Sequence, residues 1–236
     1  MMSLPPNVCR AVLCAAALFA APLPASAQPA PAAAPVALIE PEAVAKPRDL
    51  PTIGKWMIDR SGTVAHWLGQ MVDGKRLYEP INVILIDAGA SDENDARKRL
   101  AAAMLAAGYP VRFGHSTGYR GLIGGQLYDQ MPQGRDDAFS NHLFEETNNH
   151  GRVFGPHTFN GAFVFIAAFS RERVDLLRWP GHRYASFNMA RDDLATHFAI
   201  TMFKSGGYVT LGNAVAANPR VTTGDHDGRA LVLRAP

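Results

Sequence analysis

Asn148–Asp193 reads NNHGRVFGPHTFNGAFVFIAAFSRERVDLLRWPGHRYASFNMARDD, and the fold turns on it. The segment from His150 alternates. His150, Arg152 and Phe154 point one way, while Gly151, Val153 and Gly155 point the other, as the two-residue period of a strand requires. Pro156 ends or bends that strand. Gly161–Ser170 is nearly all apolar, which predicts a strand buried on both faces. A turn through His157–Asn160 pairs the two antiparallel and sets His150 and Arg152 opposite the far end of the second strand. A third strand carries His182, Tyr184 and Ser186 on one face and Arg183, Ala185 and Phe187 on the other. Asn188 is placed to cap a helix that ends near Gly206, with Leu194, Phe198 and Thr201 or Met202 as its buried stripe. Asp193 and His197, four apart, can pair on it.

Working outward, Ile81–Ile86 (INVILI) reads as a buried strand. Ser91 or Asp92 caps the following helix, whose first turn carries Glu93 and Asp95. Ala96, Leu100, Ala103, Met104 and Ala107 recur at helical spacing, and Gly108 stops it. The glycine-rich stretch 109–133, which contains His115 and Arg120, predicts turns with a short strand at Val111–Phe113 and another near Leu122–Tyr128. Arg135–Phe139 reads as a polar loop, and Tyr208–Val215 and Ala230–Leu233 as strands joined by Thr222–Gly228. Thr52–Leu68 is either a short helix or an amphipathic arm whose Trp56 and Trp67 pack on the domain or touch lipid.

The first 27 residues read as a secretory signal: Arg10, the apolar run Ala11–Ala21, then Ala25-Ser26-Ala27 as a small-x-small cleavage site. Left uncleaved, the same run would be an anchor. Residues 28–50 form a Pro/Ala-rich linker, and one folded domain is expected over 51–236. Both cysteines, Cys9 and Cys14, fall inside the signal, so the mature chain has no disulfide, cysteine nucleophile or cysteine-ligated metal. Losing Arg10 takes the basic count from 23 to 22 against 21 acids, a net +1, which gives nucleic-acid binding no electrostatic support. The expectation is an α+β domain with a mixed, mainly antiparallel sheet and two main helices, periplasmic or secreted, and touching the membrane only peripherally or through an uncleaved signal.

No G-x-S-x-G elbow is present, and Ser140, Ser170 and Ser186 lack activating neighbours. No H-E-x-x-H or H-x-H occurs, so neither metal nor cofactor is expected, and Asp225-His226-Asp227 reads as a solvated turn. The polar residues of the strands are more informative. His150, Arg152, His182 and Arg183 lie on neighbouring strands, and together they would form a cationic pocket for a phosphate or carboxylate. His150 and His182 would be the acid/base pair, Arg152 the anion clamp, and Asp192 would orient a histidine. The same arginines could instead pair with Asp192, Asp193 or Glu172 as structural ion pairs.

These motifs, in order, resemble the LssY C-terminal domain family of bacterial envelope-associated proteins. The likeness runs from Pro80-Ile81-Asn82-Val83-Ile84-Leu85-Ile86 through Ala106-Ala107-Gly108-Tyr109, Asn149-His150-Gly151-Arg152-Val153-Phe154, Ala162–Ser170 and His182. It continues with Phe187–Leu194 and ends at Asp227-Gly228-Arg229. Phe154 stands where the family often has Trp, and the acid-phosphatase-like membrane domain of longer relatives is absent, so no phosphatase activity carries over. The resemblance implies that His150, Arg152, His182, Arg191 and Asp192 form one site; Asn149 and Arg183 are further candidates for substrate binding. Two functions fit: an envelope hydrolase or ligand site for an anionic or lipid-like small molecule, and a non-catalytic envelope module that binds a protein partner or lipid headgroup.

Overall fold

The computed structural model describes residues 44–134, 137–177 and 181–236. The expected signal, most of the linker and Arg135-Asp136 lie outside them. In chain order the elements begin with β1 (Val44–Ala45), β2 (Ile53–Gly54), β3 (His66–Val72), β4 (Lys75–Tyr78), β5 (Val83–Asp87), α1 (Glu93–Ala106), β6 (Val111–Phe113), β7 (Arg120–Ile123) and β8 (Gln126–Met131). They continue with β9 (Asp137–Ser140), β10 (Asn148–Phe159), β11 (Ala162–Val174), β12 (His182–Ser186), α2 (Phe187–Phe198), β13 (Lys204–Thr210), β14 (Val221–Thr222) and β15 (Arg229–Ala235). The architecture is α+β, and the sheet is mixed and mostly antiparallel. No helix among the described residues is long and apolar enough to cross a membrane.

The long hairpin of β10 and β11 organises the sheet. Its register sets His150 opposite Ser170 and Arg152 opposite Ala168, as the alternation requires. Pro156 does not end β10: the strand absorbs it at a bulge between Phe154 and His157 and runs on to Phe159. On one side β11 pairs antiparallel with β5, which pairs parallel with β15; on the other, β10 pairs with β8 and β9. The polar loop expected near Phe139 is strand β9, and the glycine-rich stretch holds the β7–β8 hairpin.

Both helices cover one face. Asp92 caps α1, its carboxylate accepting from the Asp95 amide at 2.8 Å. Ala96, Leu100, Ala103 and Met104 pack with Val83, Leu85, Phe165, Ala167 and Phe169. Helix α2 adds Ala190, Leu194 and Phe198 to the same cluster. It ends at Phe198, well short of Gly206, and Ser186 rather than Asn188 caps it, accepting from the Met189 amide at 2.8 Å. Thr201 is buried beyond its end, whereas Met202 is exposed.

The opposite face, with Ile84, Ile86, Phe154, Val164, Ile166 and Ala168, is covered by Ile53, Met57, Ala65 and Ile81 from the N-terminal connections. Thr52–Leu68 is therefore extended and packed, neither helix nor free arm. Trp67 is 2% exposed and its indole N–H donates to Ser170 Oγ at 3.0 Å, while Trp56 sits edge-on to Tyr78. Strand β1 pairs with β2, and Leu50 is buried, so packing begins a few residues ahead of position 51.

Candidate functional site

The even-numbered residues of β10 and β11 share the face turned away from the helices. Toward the hairpin turn this face is apolar, with Phe154, Val164, Ile166 and Ala168. Toward the open end it turns polar, with Asn148, His150 and Arg152 on β10 and Ser170 and Glu172 on β11. All five are 4% exposed or less. Over them lie Trp67, Glu79, the loop Gly114-His115-Ser116, and Phe144, which with them line a pocket of about 30 Å³. Gly114 has φ +104°, and a Cβ there would sit 2.8 Å from Phe144, so only glycine lets the loop turn closely enough to bury His115.

The rings of His115 and His150 stack with centroids 4.4 Å apart. Phe144 lies between His115 and His182, 5.7 and 4.1 Å from their ring centres. Glu172 Oε1 is the hub. It accepts from Asn148 Nδ2 at 2.7 Å and lies 3.5 Å from His182 Nδ1 and 3.7 Å from His150 Nδ1. Because Asn148 donates through Nδ2, its Oδ1 accepts from His150 Nδ1–H at 3.0 Å. That bond fixes the tautomer, so the lone pair of His150 is on Nε2. Arg152 donates to the Ser116 carbonyl (2.9 Å) and hydroxyl (3.2 Å) and lies over the Tyr119 ring. Among the described residues, Arg152 Nε, His115 Nε2 and His182 Nδ1 are buried without a hydrogen-bond partner.

Burial dominates the electrostatics. It holds the His150 imidazole well below its ordinary range, helped by His115 and Arg152. Burial also pushes His115 down to about 3 and lowers His182. It raises Glu79 and Glu172 to about 7, although the Arg152 charge opposes both shifts. At neutral pH the three imidazoles are thus neutral, and the two acids sit between their protonated and ionised forms. Among the described residues one metal-competent group stands out: ligand atoms of His115, His150 and Glu172 all lie within 4.8 Å of one another.

Of the residues expected from sequence, His150, Arg152 and His182 converge here. The other four do not. Asn149 is odd-numbered on β10 and faces the helices, donating to Asp193 at 2.9 Å in a separate polar cavity of about 290 Å³ lined also by Arg171 and His197. Arg183 points away from His182 and is exposed. Arg191 is a structural ion pair, bonded to Asp227 at 2.6 Å and to Asp192 at 2.8 Å. Asp192 is taken up by Arg191 and the Tyr208 hydroxyl, and it orients no histidine. The loop Asp225-His226-Asp227 is no solvated turn. Asp225 accepts from Ser186, Tyr184 and the Phe187 amide, and His226 is buried against Asn213.

Sequence reasoning missed His115, Glu79, Glu172 as a site member, and Asn148. Two of these had a signal: Asn148 and Glu172 continue the even-numbered face of His150 and Ser170 by one step. His115 and Glu79 sit in connections and are brought in only by the tertiary fold. Comparison with known families, curated proteins and solved structures finds no match for this chain.

Proposed function

We propose that this chain is an exported cell-envelope protein, periplasmic or secreted, with an LssY C-terminal-like domain. Its buried cluster would hydrolyse a small anionic or lipid-like ester. One observation carries the reading: two imidazoles, two carboxyls and a guanidinium line one buried pocket, with the His182 imidazole 3.5 Å from its Glu172. Packing gives no reason for this, because such groups lose hydration on burial and apolar residues of equal volume are commonly as stable or more so. Strongly shifted groups gathered in a cleft are characteristic of working sites.

Each group has a role in such a reaction. Arg152 pairs with the phosphate or carboxylate of the substrate through its unsatisfied edge. The void holds one water, whose oxygen bonds to the phosphorus or acyl carbon while His150 takes its proton. That proton passes by way of Glu172 Oε1, 3.7 Å from His150 Nδ1 and 3.5 Å from His182 Nδ1, to His182, which gives it to the departing oxygen as the ester bond breaks. The substrate's body lies outside, against Leu68 and Phe144, which line the same pocket.

Assays of tag-free protein against phosphate monoesters, phosphate diesters and carboxyl esters test this. At least one anionic class should turn over, and Arg152→Met should lower kcat/KM by about 100-fold. No turnover with any class, or turnover untouched by His150→Gln, would refute it. A second reading is a non-catalytic module that binds a protein partner or lipid headgroup. It is favoured by Leu176 and Leu177, which are 87% and 97% exposed just beyond β11. Flotation with anionic vesicles that is lost in the Leu176→Ser/Leu177→Ser variant would support that reading.

A further inference from the structure

We infer that the cluster is a divalent metal site of the zinc class, with His115, His150 and Glu172 as ligands and a fourth position left open beside Arg152. This rests on the hydrolytic reading and changes one role within it: His150 lends Nε2 to the ion, and His182 and Glu79 are left to move protons.

Four independent features converge. The first is spacing. Tetrahedral zinc with bonds of about 2.1 Å sets its ligands about 3.4 Å apart; one ring nitrogen of each histidine and a Glu172 oxygen already lie within 4.8 Å of one another, and side-chain rotation that brings His150 Nε2 to that spacing closes the sphere. The second is orientation. A metal-binding histidine holds its other ring N–H on a carbonyl or carboxylate, and Asn148 does this for His150 while steering Glu172 through the same amide. The third is the orphaned nitrogen. His115 is 4% exposed, and its Nε2 has no partner among the described residues, a loss of hydration that coordination would recover. The fourth is size: a void of about 30 Å³ has room for an ion or a water and for no organic ligand.

The charges agree. With Glu79 and Glu172 ionised, Arg152 leaves the cluster one net negative charge, and a divalent ion carrying hydroxide brings the total to zero. His182, 3.5 Å from Glu172 Oε1, is positioned as an outer partner of that carboxylate. The chemistry is non-redox. The ion lowers the pKa of its water to about 7, the Glu79 carboxylate takes the water's proton, the hydroxide oxygen bonds to the phosphorus or acyl carbon of the ester held by Arg152, and that proton passes to the leaving oxygen as the ester bond breaks. No H-E-x-x-H is needed, because the ligands come from a loop and two strands.

The test is metal content of the tag-free full chain after loading with zinc and exhaustive dialysis, together with the visible absorption of the cobalt form. The wild type should retain one equivalent and give a tetrahedral cobalt spectrum. His115→Ala and the isosteric Glu172→Gln should lose both while keeping the wild-type circular dichroism. Asn149→Ala, in the other cavity, should keep both. Asn148→Ala should keep the fold but weaken zinc binding by about 10- to 100-fold. No retained metal in the wild type, or full retention in both ligand variants, would overturn the inference. Ester turnover measured with and without chelator separates the two claims. Turnover that survives complete metal removal overturns the metal site and leaves the hydrolytic reading standing. One bound equivalent without turnover of any ester supports the metal site and overturns the hydrolytic reading.

Discussion

Replacing Glu79 with glutamine should make the metal-free protein more stable at pH 8 than the wild type. Glu79 is 4% exposed. Burial raises its pKa from 4.5 to about 7, against the pull of Arg152 and with help from Glu172. The folded state therefore keeps a proton that the unfolded state releases as pH rises above 4.5. This stability is complete below the unfolded pKa and is lost as pH climbs through about 7. A difference of about 2.5 units corresponds to about 3 kcal/mol by pH 8, as an upper figure. Glutamine keeps the shape and cannot ionise. In chelator, urea unfolding followed by tryptophan fluorescence should show a gap of about 3 kcal/mol at pH 8 that shrinks below about 1 kcal/mol near pH 5. In a thermal scan the pH 8 gap corresponds to about 6–12 °C for a domain of this size. A gap that does not change with pH, or a glutamine variant less stable than wild type at pH 8, would refute the reasoning.

Three further outcomes follow from other parts of the fold. His226 is buried and held at about 4 by desolvation, so the folded state resists the proton that the unfolded state accepts below 6.5; stability should fall by up to about 3 kcal/mol between pH 6.5 and 4, and His226→Gln should flatten that limb of the unfolding profile. Asp87 is fully buried and takes Arg99 through two bonds of 2.8 and 3.0 Å, whereas the Arg99 side chain is 26% exposed. Arg99→Ala, which strands a buried carboxylate, should thus cost about 3 kcal/mol and more than Asp87→Ala in urea melts. Gly114→Ala should cost about 1–3 kcal/mol through its positive φ and the contact with Phe144, and it should release zinc by shifting His115; unchanged zinc content would show that the glycine does not set the histidine.

Much of the framework was legible because two-residue alternation and local capping suffice for it. The hairpin register, helix α1 and the convergence of His150, Arg152 and His182 all follow from which side chains share a face. The misses have physical causes. Asn149 and Arg183 were grouped with the site by adjacency, yet each is one residue out of phase with the face that carries it. Arg191 and Asp192 sit on a helix that packs on the other side of the sheet, where Asp227 and Tyr208 take their charges. Glu172 was hidden because the apolar run stops at Ser170, although the strand continues to Val174. His115 and Glu79 reach the pocket from connections far away in the chain, and no local pattern encodes such a meeting.

The most direct measurement is anomalous diffraction at the zinc edge from crystals of the chain grown with zinc. A single strong peak should lie about 2.0–2.2 Å from a ring nitrogen of His115, His150 Nε2 and a Glu172 oxygen, with the fourth position turned toward Arg152. A pocket without anomalous density at saturating zinc, with the three side chains placed as they are here, would contradict the account.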